Sequence, residues 1–108
     1  MVERTIEPEI MEIVKKYAQV ILANYKVKAI ILFGSYAKGT NHKDSDIDIA
    51  IVTDDLKCSD KFDEEVYLMS LRRNIDYRIE PHLIEIDDFD NVETPLVQEV
   101  INTGIKVA

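Results

Sequence analysis

Basic residues are scarce in this sequence: Lys and Arg number 13 against 21 Asp and Glu, for a formal net charge of −8. A nucleic-acid clamp needs a basic face that displaces counterions from phosphates, so direct binding to DNA or RNA is not expected. The balance suits a soluble monomer or a chain whose partner is basic. Cysteine is limited to Cys58, which leaves no internal disulfide and points to a reducing, cytoplasmic setting. No apolar run reaches the roughly 20 residues that span a bilayer. The opening Met1 to Pro8 lacks the basic and apolar regions of a secretion signal. Repeats and low-complexity segments are absent too. What is present is 108 residues, 46% hydrophobic and 31% charged, a composition that supports one core. We expect a single domain over residues 1–108, with no room for a second substrate-binding lobe.

Pro8, with Glu7, Glu9 and Glu12 around it, marks a helix start. Ile10, Ile13, Val14, Tyr17, Ile21 and Leu22 then recur at helical spacing, predicting an amphipathic helix to about Tyr25. Val27 to Phe33 is a nearly continuous apolar run, the pattern of a strand covered on both faces. Ser35 to Lys38 reads as a short helical turn, and Ile47 to Val52 as a second strand. Ser59 or Asp60 can cap a helix over Lys61 to Arg73, with Phe62, Val66 and Met69 turned inward. Asp76 to Ile86 is expected as a third strand, at a sheet edge or bent because of Pro81. Asp87 to Asn91 reads as an acidic turn. Thr94-Pro95 opens a last helix with Leu96, Val97, Val100 and Ile101 as its stripe; Gly104 ends it, before a short strand from Ile105 to Val107. The order predicts an α/β or α+β sheet with helices mainly on one side.

The stretch from Gly34 to Ile51 carries the chemistry. An apolar strand stops at Gly34-Ser35, a turn whose backbone N–H groups and hydroxyl can face an anion. Taken alone, such a pair is usually a plain turn. Further on, Asp46 and Asp48 alternate with Ile47, Ile49 and Ile51. In a strand the two aspartates share one face and the isoleucines the other. Two adjacent carboxylates repel unless a cation lies between them, and hard oxygen ligands suit Mg²⁺ with a substrate phosphate. The plainer alternative for an isolated Asp-x-Asp is two solvated side chains. Lys38, His42 and Lys43 lie in the loop between, where Lys38 can neutralise a phosphate as a point charge. Cys58 has no base near it in sequence, and Arg72-Arg73 reads as a solvated helix end.

Gly34-Ser35, ten residues, then Asp46-x-Asp48 resembles the nucleotidyltransferase motif of the DNA polymerase beta-like superfamily. Ala37-Lys38-Gly39 and Ser45 fit the same pattern. The chain is most similar to the minimal nucleotidyltransferases, small prokaryotic domains of this length, and Arg78-Ile79-Glu80-Pro81-His82 resembles a segment found among them. The resemblance implies a nucleotidyltransferase fold with a small mixed sheet. It implies that Asp46 and Asp48 hold Mg²⁺ against a nucleoside triphosphate, and that Gly34, Ser35 and Lys38 bind its phosphates. A third carboxylate is expected on the next strand. Glu80 stands in the matching segment, where Asp is more usual, and Asp76 is the alternative. The plainer reading of Glu80 is an edge residue paired with Arg78. His82 shares the parity of Glu80 and is left without a role.

Minimal nucleotidyltransferases are typically paired with a helical HEPN protein resembling a toxic ribonuclease, which they neutralise, some by moving AMP onto a tyrosine. The resemblance therefore implies an enzyme that transfers AMP from ATP to a hydroxyl on a HEPN partner, acting as antitoxin within a homo- or hetero-oligomer. A non-catalytic antitoxin that works by contact is the alternative. Transfer to a small molecule such as an aminoglycoside is a third, disfavoured by the short chain.

Overall fold

The computed structural model of the chain describes residues 6–108. The expectation of no secretion signal falls mostly on residues 1–5, outside the described residues. Helix α1 (Pro8–Asn24) begins at its proline, as expected, and buries Ile10, Val14, Tyr17, Ala18 and Ile21. Leu22, expected on this face, is exposed. Strand β1 (Ala29–Phe33) is buried at every position. A four-residue helix, α2 (Ser35–Lys38), follows and ends at Gly39, whose φ of 77° is left-handed. Strand β2 (Ile47–Val52) runs antiparallel to β1, with Leu32 opposite Ile49 and Phe33 opposite Asp48.

Helix α3 (Lys61–Ser70) is capped by Asp60, whose Oδ1 accepts the Asp63 N–H at 2.8 Å. It carries the chain over to β3 (Ile79–Ile84), which lies parallel to β2. Helices α4 (Ile86–Asp90) and α5 (Pro95–Thr103) come next, then β4 (Ile105–Lys106) beside β1. The sheet order is β3-β2-β1-β4. Proline in β3 is tolerated for a visible reason. Ile47 N–H bonds Arg78 O and Thr53 N–H bonds Ile84 O, so the amides of even-numbered residues face β2 and the Pro81 nitrogen faces the open edge.

The two longest helices, α1 and α3, cover the face bearing Ile30, Leu32, Ile47, Ile49, Ile51, Ile79 and Leu83. The other face holds Ala29, Ile31, Phe33, Ala50, Val52 and Ile84 under Val97 and Val100 of α5. On this second face Ala50 is fully buried, whereas Asp48, two residues before it, is partly exposed. No helix among the described residues is long and apolar enough to cross a membrane.

Besides Leu22, Ile101 of the expected stripe on the last helix is exposed, and three larger expectations need correction. The third strand is shorter than Asp76 to Ile86, because residues 71–78 form turns apart from Asp76. The acidic segment after it is the short helix α4, whose first turn carries Asp87 and Asp88 where negative charge suits the dipole. Helix α3 faces the other way from the reading above. Phe62 is 75% exposed and Val66 53%, while Glu64 and Leu68 are fully buried. The carboxylate of Glu64 decides the register. It accepts the N–H groups of Lys57 and Cys58 at 2.6 and 2.9 Å and the hydroxyl of Tyr25. Tyr17 adds a bond to Leu68 O at 2.7 Å, fastening α1 to α3.

Candidate active site

The partly exposed end of the second sheet face gathers Asp48 and Glu80. Asp48 near the start of β2 and Glu80 near the start of β3 are direct partners across the parallel ladder. Asp46 precedes β2 on the same parity, is exposed, and has its carboxyl near that of Glu80. That contact, with partial burial, holds the Glu80 carboxyl above the usual glutamate range, although His82 pulls it the other way. A carboxyl group that gains affinity for a proton from carboxylate neighbours also gains affinity for another cation.

The Gly-Ser turn lies directly against Asp48. Gly34 has φ 78° and ψ −152°, a conformation open in practice to glycine alone. A Cβ there would come within 2.5 Å of Asp48 Oδ2. The Gly34 N–H donates to Thr103 Oγ1 at 3.2 Å, and Thr103 in turn donates to Glu99 O, so the end of α5 anchors the turn. Gly34 thus contributes closeness to the aspartate, with its own amide committed to the fold. Ser35, half-buried, stands at the start of α2, and Lys38 is exposed at its end.

Arg78 does not pair with Glu80. Its Nε and Nη2 fork onto Asp76 Oδ1 and Oδ2 at 3.0 and 2.9 Å, and its Nη1 donates to the buried Tyr36 hydroxyl at 3.3 Å. Asp76, the alternative third carboxylate, is therefore engaged. The Arg78 hydrogen bond keeps its carboxyl below the usual aspartate range. This fork also ties the start of β3 to α2, and so braces the turn from a second side.

His82 is the residue that the sequence reading passed over. Its Nε2 lies 3.1 Å from Asp48 Oδ1, and one ligand atom each from Asp48, Glu80 and His82 fall within 4.8 Å of one another. The signal was present in its parity with Glu80 and in Ala50, the small residue opposite it. Asp46, expected as a ligand, is exposed and lies outside this group, so the donors that the structure gathers for a cation are the carboxylates of Asp48 and Glu80 and the imidazole of His82. Cys58 is remote in role: burial, then Glu64, Asp63 and Asp60, push its thiol up, away from a nucleophilic thiolate.

Comparison with known proteins identifies the family. The profile of the family described as Polymerase beta, Nucleotidyltransferase matches residues 9–108. A candidate protein adenylyltransferase of Methanocaldococcus jannaschii is 30% identical over 92% of this chain and 99% of its own length. The protein adenylyltransferase MntA of Shewanella oneidensis is 30% identical over 73% of this chain and 52% of its own. Matches to three further M. jannaschii relatives span between 44% and 50% of those proteins, so against them the chain covers about half their length. Among solved structures, a toxin–antitoxin crystallised with AMP-PNP superimposes with a TM-score of 0.62 at 27% identity, covering 87% of this chain and 72% of that one. The chain belongs to the polymerase beta nucleotidyltransferase family.

Proposed function

We propose that this protein transfers AMP from ATP to a hydroxyl on a partner protein of the HEPN class, as the antitoxin of a toxin–antitoxin pair. The observation that carries this reading is the closure of Gly34 onto Asp48, with Glu80 beside it on the next strand. Asp46, Asp48 and Glu80 would hold Mg²⁺, whose chemistry here is to neutralise the triphosphate and draw charge from the leaving oxygen. Ser35, at the start of α2, and Lys38 would take the β- and γ-phosphates. The acceptor oxygen attacks the α-phosphorus, the bond to the β-phosphate oxygen breaks, and pyrophosphate leaves. Where Glu80 does not hold the ion, it would be the carboxylate to take the proton released by the acceptor. Positioning and electrostatics supply most of the acceleration.

A protein acceptor is supported by the names of the relatives and by the outer face of α3. There Phe62, Val66, Met69 and Tyr77 line an open groove of about 610 Å³ with Arg73 at its side. Phe62 and Tyr77 are 75% and 82% exposed, and exposed apolar patches of this kind mark protein contacts. The test is incubation with α-labelled ATP, Mg²⁺ and the protein encoded beside this one. Label is expected on the neighbour, absent without Mg²⁺ and absent with Asp46→Asn or Asp48→Asn. If both variants still protect cells from the neighbour, neutralisation works by contact and the transfer reading fails.

A further inference from the structure

His82 has no task in the chemistry above, yet its placement is specific. It follows Glu80 by two residues and so shares its face of β3. Across the ladder stands Ala50, whose methyl group leaves room for the imidazole to lean along β2 to Asp48. The ring is held there. Phe33, itself 2% exposed, meets it edge-on with centroids 5.0 Å apart, and Nε2 reaches Asp48 Oδ1 at 3.1 Å. Donors about 2.1 Å from an ion and at right angles to each other are about 3 Å apart. The imidazole and Asp48, which hydrogen-bond each other directly, already have that spacing, and Glu80 completes a group of three within 4.8 Å; an ion would replace the shared proton.

With Asp46 outside the group of three, the donors in reach of one ion are two carboxylates and an imidazole, which is not the set that Mg²⁺ selects. Mg²⁺ takes oxygen donors and keeps several waters, whereas imidazole nitrogen favours the first-row transition ions. The other histidine of the sequence, His42, is occupied elsewhere, its Nδ1 accepting the Asp44 N–H at 3.3 Å.

We infer that His82 is a nitrogen ligand, and that Asp48, Glu80 and His82 together bind a divalent first-row transition ion such as Mn²⁺ in preference to Mg²⁺. This rests on the reading that the acidic cluster is a metal site, and it adds which ion and which ligand.

Mn²⁺ alone, added to the nucleotide-free chain and observed by pulsed EPR, tests it. The spectrum should carry the modulation of a directly coordinated imidazole nitrogen, and protein grown with ¹⁵N-histidine should show the ¹⁵N pattern instead, with no substitution needed. His82→Gln should abolish the nitrogen signal and weaken Mn²⁺ binding roughly tenfold or more, while His42→Gln keeps both. Mg²⁺ should displace Mn²⁺ from His82→Gln at a lower excess than from the wild type. Mn²⁺ bound through oxygen alone in the wild type would overturn the inference, as would a nitrogen signal that survives His82→Gln, or no Mn²⁺ uptake. If Mg²⁺-dependent labelling of the neighbour persists in those cases, the functional reading stands without it. Loss of both metal uptake and transfer would end the functional reading itself.

Discussion

Replacing Gly34 with alanine perturbs the site at the contact on which its geometry turns. The backbone there, at φ 78° and ψ −152°, costs a residue with a side chain about 1–3 kcal/mol. The added methyl group also lies 2.5 Å from Asp48 Oδ2, where ordinary contact begins near 3.4 Å, so one of the two must yield by about 0.9 Å. The fold should survive, since domains of this size are stable by about 5–15 kcal/mol. A loss of about 2 kcal/mol lowers the unfolding midpoint by roughly 10 °C. The site should not survive so well, because a displacement of about 1 Å in a catalytic group can cost about a hundredfold in rate. Thermal unfolding and labelled-ATP transfer measure the two effects separately. A double-mutant cycle with Asp48→Ala isolates the clash: in that background Gly34→Ala should keep only its backbone cost. If Gly34→Ala matches the wild type in both stability and transfer, the turn does not position Asp48 and the reasoning fails.

Asp76→Asn should change how stability depends on pH. Its folded pKa lies below the unfolded value of about 3.9 because of the Arg78 fork, so its contribution is present above about pH 4 and lost as pH falls through the folded value. Urea unfolding should show wild type and variant well separated at pH 6 and converging near pH 3; equal separation at both would count against the pairing. Glu64→Ala strands the N–H groups of Lys57 and Cys58 and the Tyr25 hydroxyl. The Tyr25 hydroxyl is buried and costs about 1–3 kcal/mol unpaired, while the amides of exposed Lys57 and half-buried Cys58 cost less, so the loss should be about 2 kcal/mol or more in chemical denaturation. Phe62→Asp with Tyr77→Asp should leave stability within about 0.5 kcal/mol per site. The same pair should weaken co-purification of the proposed partner, the protein encoded beside this one, at least tenfold, and unchanged capture would remove the outer face of α3 from the interface.

The parts of the fold written in local pattern were legible in the sequence. Ala29 to Phe33 is apolar throughout because β1 lies inside the sheet with both faces covered. Pro81 announced an edge strand, and β3 is one. Alternation put Asp46 and Asp48 on one face, and the structure adds Glu80 as the ladder partner of Asp48. The errors arose where two local patterns competed. Helix α3 has an apolar stripe through Phe62, Val66 and Met69, and a second face through Glu64 and Leu68. Only the tertiary donors of Tyr25, Lys57 and Cys58 make a buried glutamate the better inward residue. Asp76 and Glu80 looked equivalent by parity, but the chain turns through residues 77 and 78 and Arg78 takes Asp76 for itself. Thr103, which anchors Gly34 from 69 positions away, had no local signal at all. His82 has one in its parity with Glu80, but a histidine's neighbours across a ladder are invisible until the register is known.

Calorimetric titration of a non-hydrolysable ATP analogue into the chain, with and without a divalent ion, tests most directly whether Asp46, Asp48 and Glu80 form a metal-dependent nucleotide site. The account predicts binding with the ion and none without it, and loss of the ion's effect in Asp48→Asn. Binding of equal strength with and without the ion, or no binding in either condition, would contradict it.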